Sequence, residues 1–91
     1  MEGVNKDSAN LLGCTARLRE MKASLRNAEE QVANYILLHH GEIINLTITE
    51  LAEQAGVSEA TVVRMCQKLG YKGFQELKIA LALELVKPVQ A

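Results

Sequence analysis

Apolar residues recur along this chain at intervals of three and four positions, the spacing that places side chains on one face of an α-helix. One predicted helix begins at about Asn27, which can cap it together with Glu30 three positions on. It ends near Gly41, where glycine can take the left-handed conformation. No stretch alternates convincingly as a β-strand would. The first stripe predicts a helix over about residues 9–23 and consists of Leu11, Cys14, Leu18, Met21 and Leu25.

Capping signals predict two further helices in the middle of the chain. Thr47 and Glu50 form a capping box ahead of a helix that ends at Gly56. Ser58 caps the helix that follows immediately, over about residues 59–69.

The last predicted helix covers about residues 74–86 and is apolar on two sides. One side should pack on this domain, and a second copy or a neighbouring domain would cover the other. The sequence therefore predicts an all-α five-helix bundle over residues 10–87, with a flexible segment at 1–9 and a short C-terminal end at 88–91. The two stripes are Phe74, Leu77, Leu81 and Leu85 on one side, and Ile79, Leu83 and Val86 on the other.

The stretch ELAEQAGVSEATVVRMCQKLG, residues 50–70, has small residues where two helices joined by a short turn must approach closely. Gly56 suits a position that requires positive φ, Ala52 leaves room for the second helix, and Val57 fills the corner. The pattern predicts a helix-turn-helix over about residues 48–69, whose inner side in the second helix consists of Val62 and Met65.

Composition narrows the possible functions. Cys14 and Cys66 are the only cysteines and form no metal or redox motif, so reduced thiols in a cytoplasmic protein are expected. The chain opens without a signal segment, and no apolar run approaches the roughly 18 residues of a membrane span. His39 and His40 point about 100° apart on a helix and cannot readily share a metal ion. No Asp follows Asp7 and no catalytic set is evident, so we expect no enzyme activity, cofactor or metal.

The net charge of −1 gives no general argument for nucleic acid, but the charge is unevenly distributed. Residues 1–27 carry five Lys/Arg and three acids (+2), residues 28–59 carry six Glu and no Lys or Arg (−6), and residues 60–91 carry five Lys/Arg and two Glu (+3). An acidic middle beside a basic C-terminal third can produce a local positive patch. Ordinary solvated helix faces would give the same distribution.

The outer face of the second helix of the motif carries the residues expected to contact DNA, since this helix enters the major groove in such complexes. Arg64 can bind guanine through a forked pair of hydrogen bonds, and Gln67 can read adenine. Lys72 and the Gly73 amide, at the start of the last helix, can hold a phosphate. An exposed pair of cations without a role is the alternative for Arg64 and Lys68. The candidate residues on the helix are Ser58, Glu59, Ala60, Thr61, Arg64, Gln67 and Lys68, of which the two hydroxyls suit phosphates.

The sequence from about Leu11 to Leu85 resembles the N-terminal DNA-binding domain of RpiR-family bacterial transcription regulators, most specifically in the run AGVSEATVVR…KLGYKGFQELK. The resemblance implies a homeodomain-like helix-turn-helix that binds double-stranded DNA as a homodimer and regulates sugar-catabolism genes. Family members typically carry a C-terminal sugar-isomerase-type (SIS) domain for a phosphosugar effector. This chain stops at Ala91 without it, so no phosphosugar site is expected here. The implied DNA contacts are Ser58, Glu59, Thr61, Arg64 and Lys68, with Lys72 and Gly73 near the backbone.

A helical protein-interaction or dimerisation module that does not bind DNA is the alternative hypothesis. The near-neutral charge and the two-sided last helix favour it, whereas the basic face over residues 58–72 favours DNA. The salt dependence of binding would separate the two.

Overall fold

The structure is a computed structural model that describes residues 13–86, and this part of the chain contains helices and no β-strand. The predicted all-α class is therefore confirmed. The five predicted helices are present, and a single helical turn, α3, is additional. The helices are α1 (Cys14–Met21), followed by a 3-10 turn (Lys22–Ser24), α2 (Asn27–Leu38), α3 (His40–Ile43), α4 (Ile48–Ala55), α5 (Glu59–Lys68) and α6 (Phe74–Val86).

Helix α1 begins later than the sequence predicts. Gly13 has a φ of 90°, so a helix cannot run through it from the predicted start at Ala9, which lies outside the described residues. Glu84 of α6 closes this end of α1, because its Oε1 accepts hydrogen bonds from the N–H groups of Cys14 at 3.0 Å and Thr15 at 3.1 Å. Its other oxygen accepts a hydrogen bond from the Thr15 hydroxyl. A carboxylate from α6 thus takes the place of an N-cap side chain.

The predicted cap of α2 is wrong by one residue. Asn27 is already helical, and Arg26, with φ −107° and ψ 153°, occupies the capping position. The Arg26 N–H donates to Glu29 Oε1 at 3.4 Å, so Glu29 rather than Glu30 folds back on the start of the helix.

The predicted end of α2 at Gly41 is also wrong. The helix ends at Leu38, and His39 adopts a non-helical conformation while its N–H still donates to the Tyr35 carbonyl at 3.0 Å. Gly41 lies inside α3 and is not among the glycines with positive φ. The chain therefore changes direction at His39 and does not need a left-handed glycine here.

The caps of α4 and α5 are as predicted. Thr47 Oγ1 accepts a hydrogen bond from the Glu50 N–H at 3.1 Å, and Glu50 Oε1 accepts one from the Thr47 N–H at 2.9 Å. Ser58 Oγ accepts a hydrogen bond from the Thr61 N–H at 3.1 Å. These bonds satisfy N–H groups that the helices themselves leave without partners.

Helix α5 lies at the centre of the arrangement and packs against α2, α4 and α6. On α6, Ile79 and Leu83 are exposed as predicted, whereas Leu85 is 42% exposed and does not belong to the packed stripe. Leu85 lies near the end of α6, past the turns that contact the core; the Val86 side chain is outside the described part. The largest fully buried side chains are Leu18, Val32, Ile36, Ile43, Leu51, Val62, Met65, Leu77 and Leu81.

Candidate nucleic-acid interface

The turn between α4 and α5 has the geometry that the sequence predicts. Gly56 has φ 77° and ψ 32°, and the Val57 N–H donates to the Ala52 carbonyl at 2.9 Å, which closes α4. A Cβ at Gly56 would lie 3.0 Å from Gln31 Nε2, so a side chain here would meet crowding as well as an unfavourable φ. Ala52 is buried between the two helices. The small residues thus allow α5 to leave the turn with its outer face free.

Most of the predicted DNA-contact residues lie on an exposed surface. The exposed ones are Ser58, Glu59, Ala60, Arg64, Gln67, Lys68 and Lys72. Thr61 differs, since it is only 5% exposed, and Gly73 is half-buried. The name α5 face is used for the surface formed by these seven exposed residues and Gly73.

Hydroxyl groups fix the N-terminal turn of α5. Thr61 Oγ1 lies 3.0 Å from Ser58 Oγ and accepts a hydrogen bond from Arg64 Nη2 at 3.4 Å. The Thr49 hydroxyl of α4 donates to Glu59 Oε2 at 2.6 Å. Buried Thr61 therefore supports Ser58 and Arg64 from below, and Glu59 is tied to α4.

A buried carboxylate of α2 lies beside the two cations of α5. Glu29 Oε1 accepts a hydrogen bond from Lys68 Nζ at 2.8 Å, and Glu29 Oε2 lies 3.6 Å from Arg64 Nε. The Glu29 side chain is 10% exposed, against 58% for Arg64 and 43% for Lys68. The hydrogen bond from Lys68 lowers the pKa of Glu29, with smaller contributions from the Arg26 N–H and the charge of Arg64.

Sequence reasoning missed this contact. Glu29 and Lys68 are 39 positions apart, and Glu29 in a first helical turn has a sufficient local explanation in the helix dipole. Arg64 and Lys68 are both exposed, and both lie beside Glu29. Their spacing of four residues on α5 is a signal, because it allows both to reach one carboxylate on a facing helix.

The segment that follows α5 is held by side chains from α1 and α6. Gly70 has φ 100°, and the Arg17 guanidinium lies over the Tyr71 ring at 4.9 Å from Cζ to the ring centroid. The Lys72 N–H donates to Glu76 Oε1 at 2.6 Å, so this amide is already occupied. At Gly73, no atom beyond its immediate chain neighbours lies within 4 Å of where a Cβ would be. The predicted phosphate site, the Lys72 side chain and the Gly73 amide, does not depend on the Lys72 N–H.

The cysteines lie in the core, away from the α5 face. Cys14 and Cys66 are both fully buried. Burial raises the pKa of Cys14 to about 11 and that of Cys66 to about 12, so both are protonated and poorly reactive. Within residues 13–86, no cluster of three or more His, Cys, Asp or Glu residues is arranged to hold a metal ion. No helix of this part is long and apolar enough to cross a membrane.

Comparison with known proteins adds the observation that decides the family. The family model described as the helix-turn-helix domain of the rpiR family matches residues 12–88, which include every helix described above. The chain belongs to the RpiR family. Its α4–turn–α5 unit is the helix-turn-helix of a DNA-binding regulatory domain, in agreement with the resemblance in the sequence.

Two solved structures resemble this RpiR-family domain. The crystal structure of the N-terminal domain of the regulator YbbH from Bacillus subtilis has a TM-score of 0.79 at 41% identity and covers 82% of this chain and 92% of that one. The Vibrio vulnificus NanR protein complexed with ManNAc-6P has a TM-score of 0.78 at 40% identity and covers 80% of this chain and 28% of that one.

The RpiR-family domain matches only part of its curated relatives. It is 42% identical to the HTH-type transcriptional regulator YbbH over 76 residues, which is 84% of this chain and 27% of YbbH. It is also 42% identical over 69 residues to the bifunctional protein glk of Paraburkholderia xenovorans, which is 76% of this chain and 11% of that protein. The chain spans about a quarter of the length of the first regulators that it matches.

Proposed function

We propose that this RpiR-family domain reads a specific operator through the α5 face and thereby directs the regulation of sugar or phosphosugar metabolism genes. The observation that carries the proposal is the exposed outer face of α5, a helix that follows a left-handed Gly56 and carries Arg64, Gln67 and Lys68 on that face. Side chains of this kind can reach base edges in the major groove.

The proposal gives different roles to the residues of the α5 face. Arg64 and Gln67 contact bases, while Lys68 and Lys72 contact phosphates. Thr61 is buried, so it positions the residues above it. The short residues Ser58 and Ala60 allow close approach to the duplex, Glu59 offers a hydrogen-bond acceptor to bases, and Gly73 offers its amide to the backbone.

The sugar connection rests on a structural relative. NanR, with 40% identity to this chain, was solved in complex with ManNAc-6P, and the chain covers 28% of it. We infer that a phosphosugar effector acts through a C-terminal domain outside the matched part. We also infer that the helix-turn-helix domain described here has no catalytic role, and that the regulator acts in the cytoplasm.

We also propose that the regulator binds as a homodimer. Ile79 is 55% exposed and Leu83 is 62% exposed on one side of α6, which supports an apolar contact between two copies. Two recognition helices would then lie about 34 Å apart, one duplex turn, or a multiple of that distance.

The test is an in-vitro selection of the purified chain against randomised duplex DNA at low and high salt. We expect enrichment of a two-fold symmetric site, with affinity that falls steeply with salt. Enrichment of no sequence would contradict sequence-specific binding by this chain.

A protein-interaction module remains the second candidate, because large apolar side chains on α2 and α6 are exposed, among them Leu38 at 77%. Binding by an apolar interface should change little with salt concentration. Binding to several phosphates should weaken steeply as the salt concentration rises. Association that is insensitive to salt, together with no affinity for duplex DNA, would favour this candidate.

A further inference from the structure

The helix dipole explains an acidic residue on the first turn of α2, but the burial of the Glu29 carboxylate is explained by the cations of α5 beside it. Glu29 is on the first turn of α2, and its side chain is 10% exposed. Withdrawing a carboxylate from water is costly unless hydrogen bonds and opposite charge compensate. Only a long bond of 3.4 Å comes from its own helix, through the Arg26 N–H, whereas Lys68 Nζ lies at 2.8 Å. The main partners of Glu29 are thus residues of the α5 face.

The contact with Arg64 leaves the outer part of the guanidinium available. Glu29 Oε2 is beside Nε at 3.6 Å, and Thr61 Oγ1 accepts from Nη2 at 3.4 Å, so both contacts are on one edge of the group. Nη1 and the other Nη2 hydrogen remain for a base, which is the pair of donors that recognises guanine. A side chain already held in one geometry loses less conformational entropy when it binds.

The contact with Lys68 has the opposite effect. An ammonium that donates to a buried carboxylate at 2.8 Å contributes less positive charge to the surface than a free one. Attraction between Lys side chains and phosphates is independent of sequence and supplies most non-specific affinity. Glu29 therefore favours a base contact through one cation and weakens uniform phosphate binding through the other.

We propose that Glu29 is a specificity-determining positioning residue of the DNA interface, which orients Arg64 and weakens the phosphate contact of Lys68 from the neighbouring helix α2. The inference rests on the proposed function, since it concerns how the α5 face discriminates between sequences.

The test compares Glu29→Gln with Glu30→Gln. Both changes remove one negative charge from the same turn of α2, but Glu30 is exposed and Glu29 is buried against the cations. The readout is the ratio of the dissociation constant for a mixed-sequence duplex to that for the duplex that the parent chain selects. We expect Glu29→Gln to lower this ratio about tenfold, since a bidentate base contact discriminates by about 5- to 150-fold. Glu30→Gln should stay within about twofold of the parent, because a distant exposed charge is screened.

The ratio distinguishes positioning from a loss of stability. A smaller folded fraction weakens binding to both duplexes by the same factor and leaves their ratio unchanged. A parent-like ratio in Glu29→Gln would overturn the proposal even if both affinities fell. If Glu29→Gln does not fold, Glu29→Asp withdraws the carboxylate by one methylene and is measured in the same way. A parent-like ratio there would also overturn the proposal.

A background lacking both cations shows whether Glu29 acts through them. In the Arg64→Ala, Lys68→Ala protein, adding Glu29→Gln should leave the ratio unchanged, because interacting residues are non-additive. A further loss as large as in the parent would contradict the proposal. Without DNA, the Arg64 Nε–H resonance in NMR spectra should move in Glu29→Gln and not in Glu30→Gln.

The outcomes separate this inference from the proposed function. If the parent chain discriminates between no duplexes, the proposed function fails and the inference fails with it. If the parent discriminates and Glu29→Gln does so equally well, only the inference fails.

Discussion

Arg64 and Lys72 both belong to the α5 face, but their positions give them different roles in binding. Arg64 is on the helix that enters the groove, whereas Lys72 lies in the segment between α5 and α6. We expect Arg64→Ala to cost about 1–3 kcal/mol for the selected duplex and to relax base preference. Lys72→Ala should weaken binding to all duplexes similarly and lower the salt slope by about one. Titrations with selected and mixed-sequence duplexes would check this, and unchanged operator affinity in Arg64→Ala would contradict the assignment of α5.

The contact between Glu29 and Lys68 should make folding sensitive to acid. The pKa of Glu29 is lowered in the folded state, so its contribution to the free energy of unfolding is fully present above its unfolded pKa of about 4.3. It is lost as the pH falls through the lower, folded pKa. Denaturant unfolding of the parent and Glu29→Gln at pH 7 and at decreasing pH should therefore show a stability difference that shrinks in acid. A difference that is constant with pH would contradict the ionised contact.

At the scale of helices and turns, Gly41 and Gly56 were both predicted to end a helix, but replacing each by alanine should change stability in opposite directions. Gly56 has φ 77°, and a Cβ there would lie 3.0 Å from Gln31 Nε2, so we expect Gly56→Ala to destabilise by about 1–2 kcal/mol. Gly41 is inside α3 with nothing within 4 Å of an added Cβ, so Gly41→Ala should stabilise by about 0.4–1 kcal/mol. Thermal unfolding of both variants measures the difference. Destabilisation by Gly41→Ala would indicate that the backbone there needs glycine after all.

Capping patterns in the sequence predicted the helix ends correctly where both partners of each capping hydrogen bond lie close together in the chain. The Thr47–Glu50 box and the Ser58 cap lie within one turn each, so the sequence contains all the partners involved. The predicted cap of α2 was wrong by one residue because either Glu29 or Glu30 can complete a capping box with the residue three positions before it. The hydrogen bond from Lys68, on a distant part of the chain, distinguishes Glu29 from its neighbour.

The same reasoning explains what could be predicted of the candidate site. Spacing along α5 indicates which residues share its outer face, and all of those predicted there are exposed except Thr61. Spacing cannot show what lies against that face from other helices. Glu29 beside Arg64 and Thr49 beside Glu59 are tertiary contacts, and only the structure reveals them.

At the scale of the whole molecule, the exposed side of α6 should determine the oligomeric state. Leu83 is 62% exposed, and a lysine there would place a charge in the proposed apolar contact between two copies. We expect Leu83→Lys to shift the chain towards monomer in analytical ultracentrifugation and to weaken binding to a two-fold site. Leu38→Lys, the same change at an exposed residue of α2, is the control. Parent-like association in Leu83→Lys would exclude this side of α6 as the dimer contact.

The contact of Glu84 with the start of α1 has a consequence for fragments of this protein. The last fully buried residue of α6 is Leu81, so a fragment ending there would keep the whole hydrophobic core. It would lose the carboxylate that accepts from the N–H groups of Cys14 and Thr15, however. We therefore expect a fragment that ends at Leu81 to be less stable than one that extends to Glu84, whose carboxylate lies beyond the last fully buried core residue of α6.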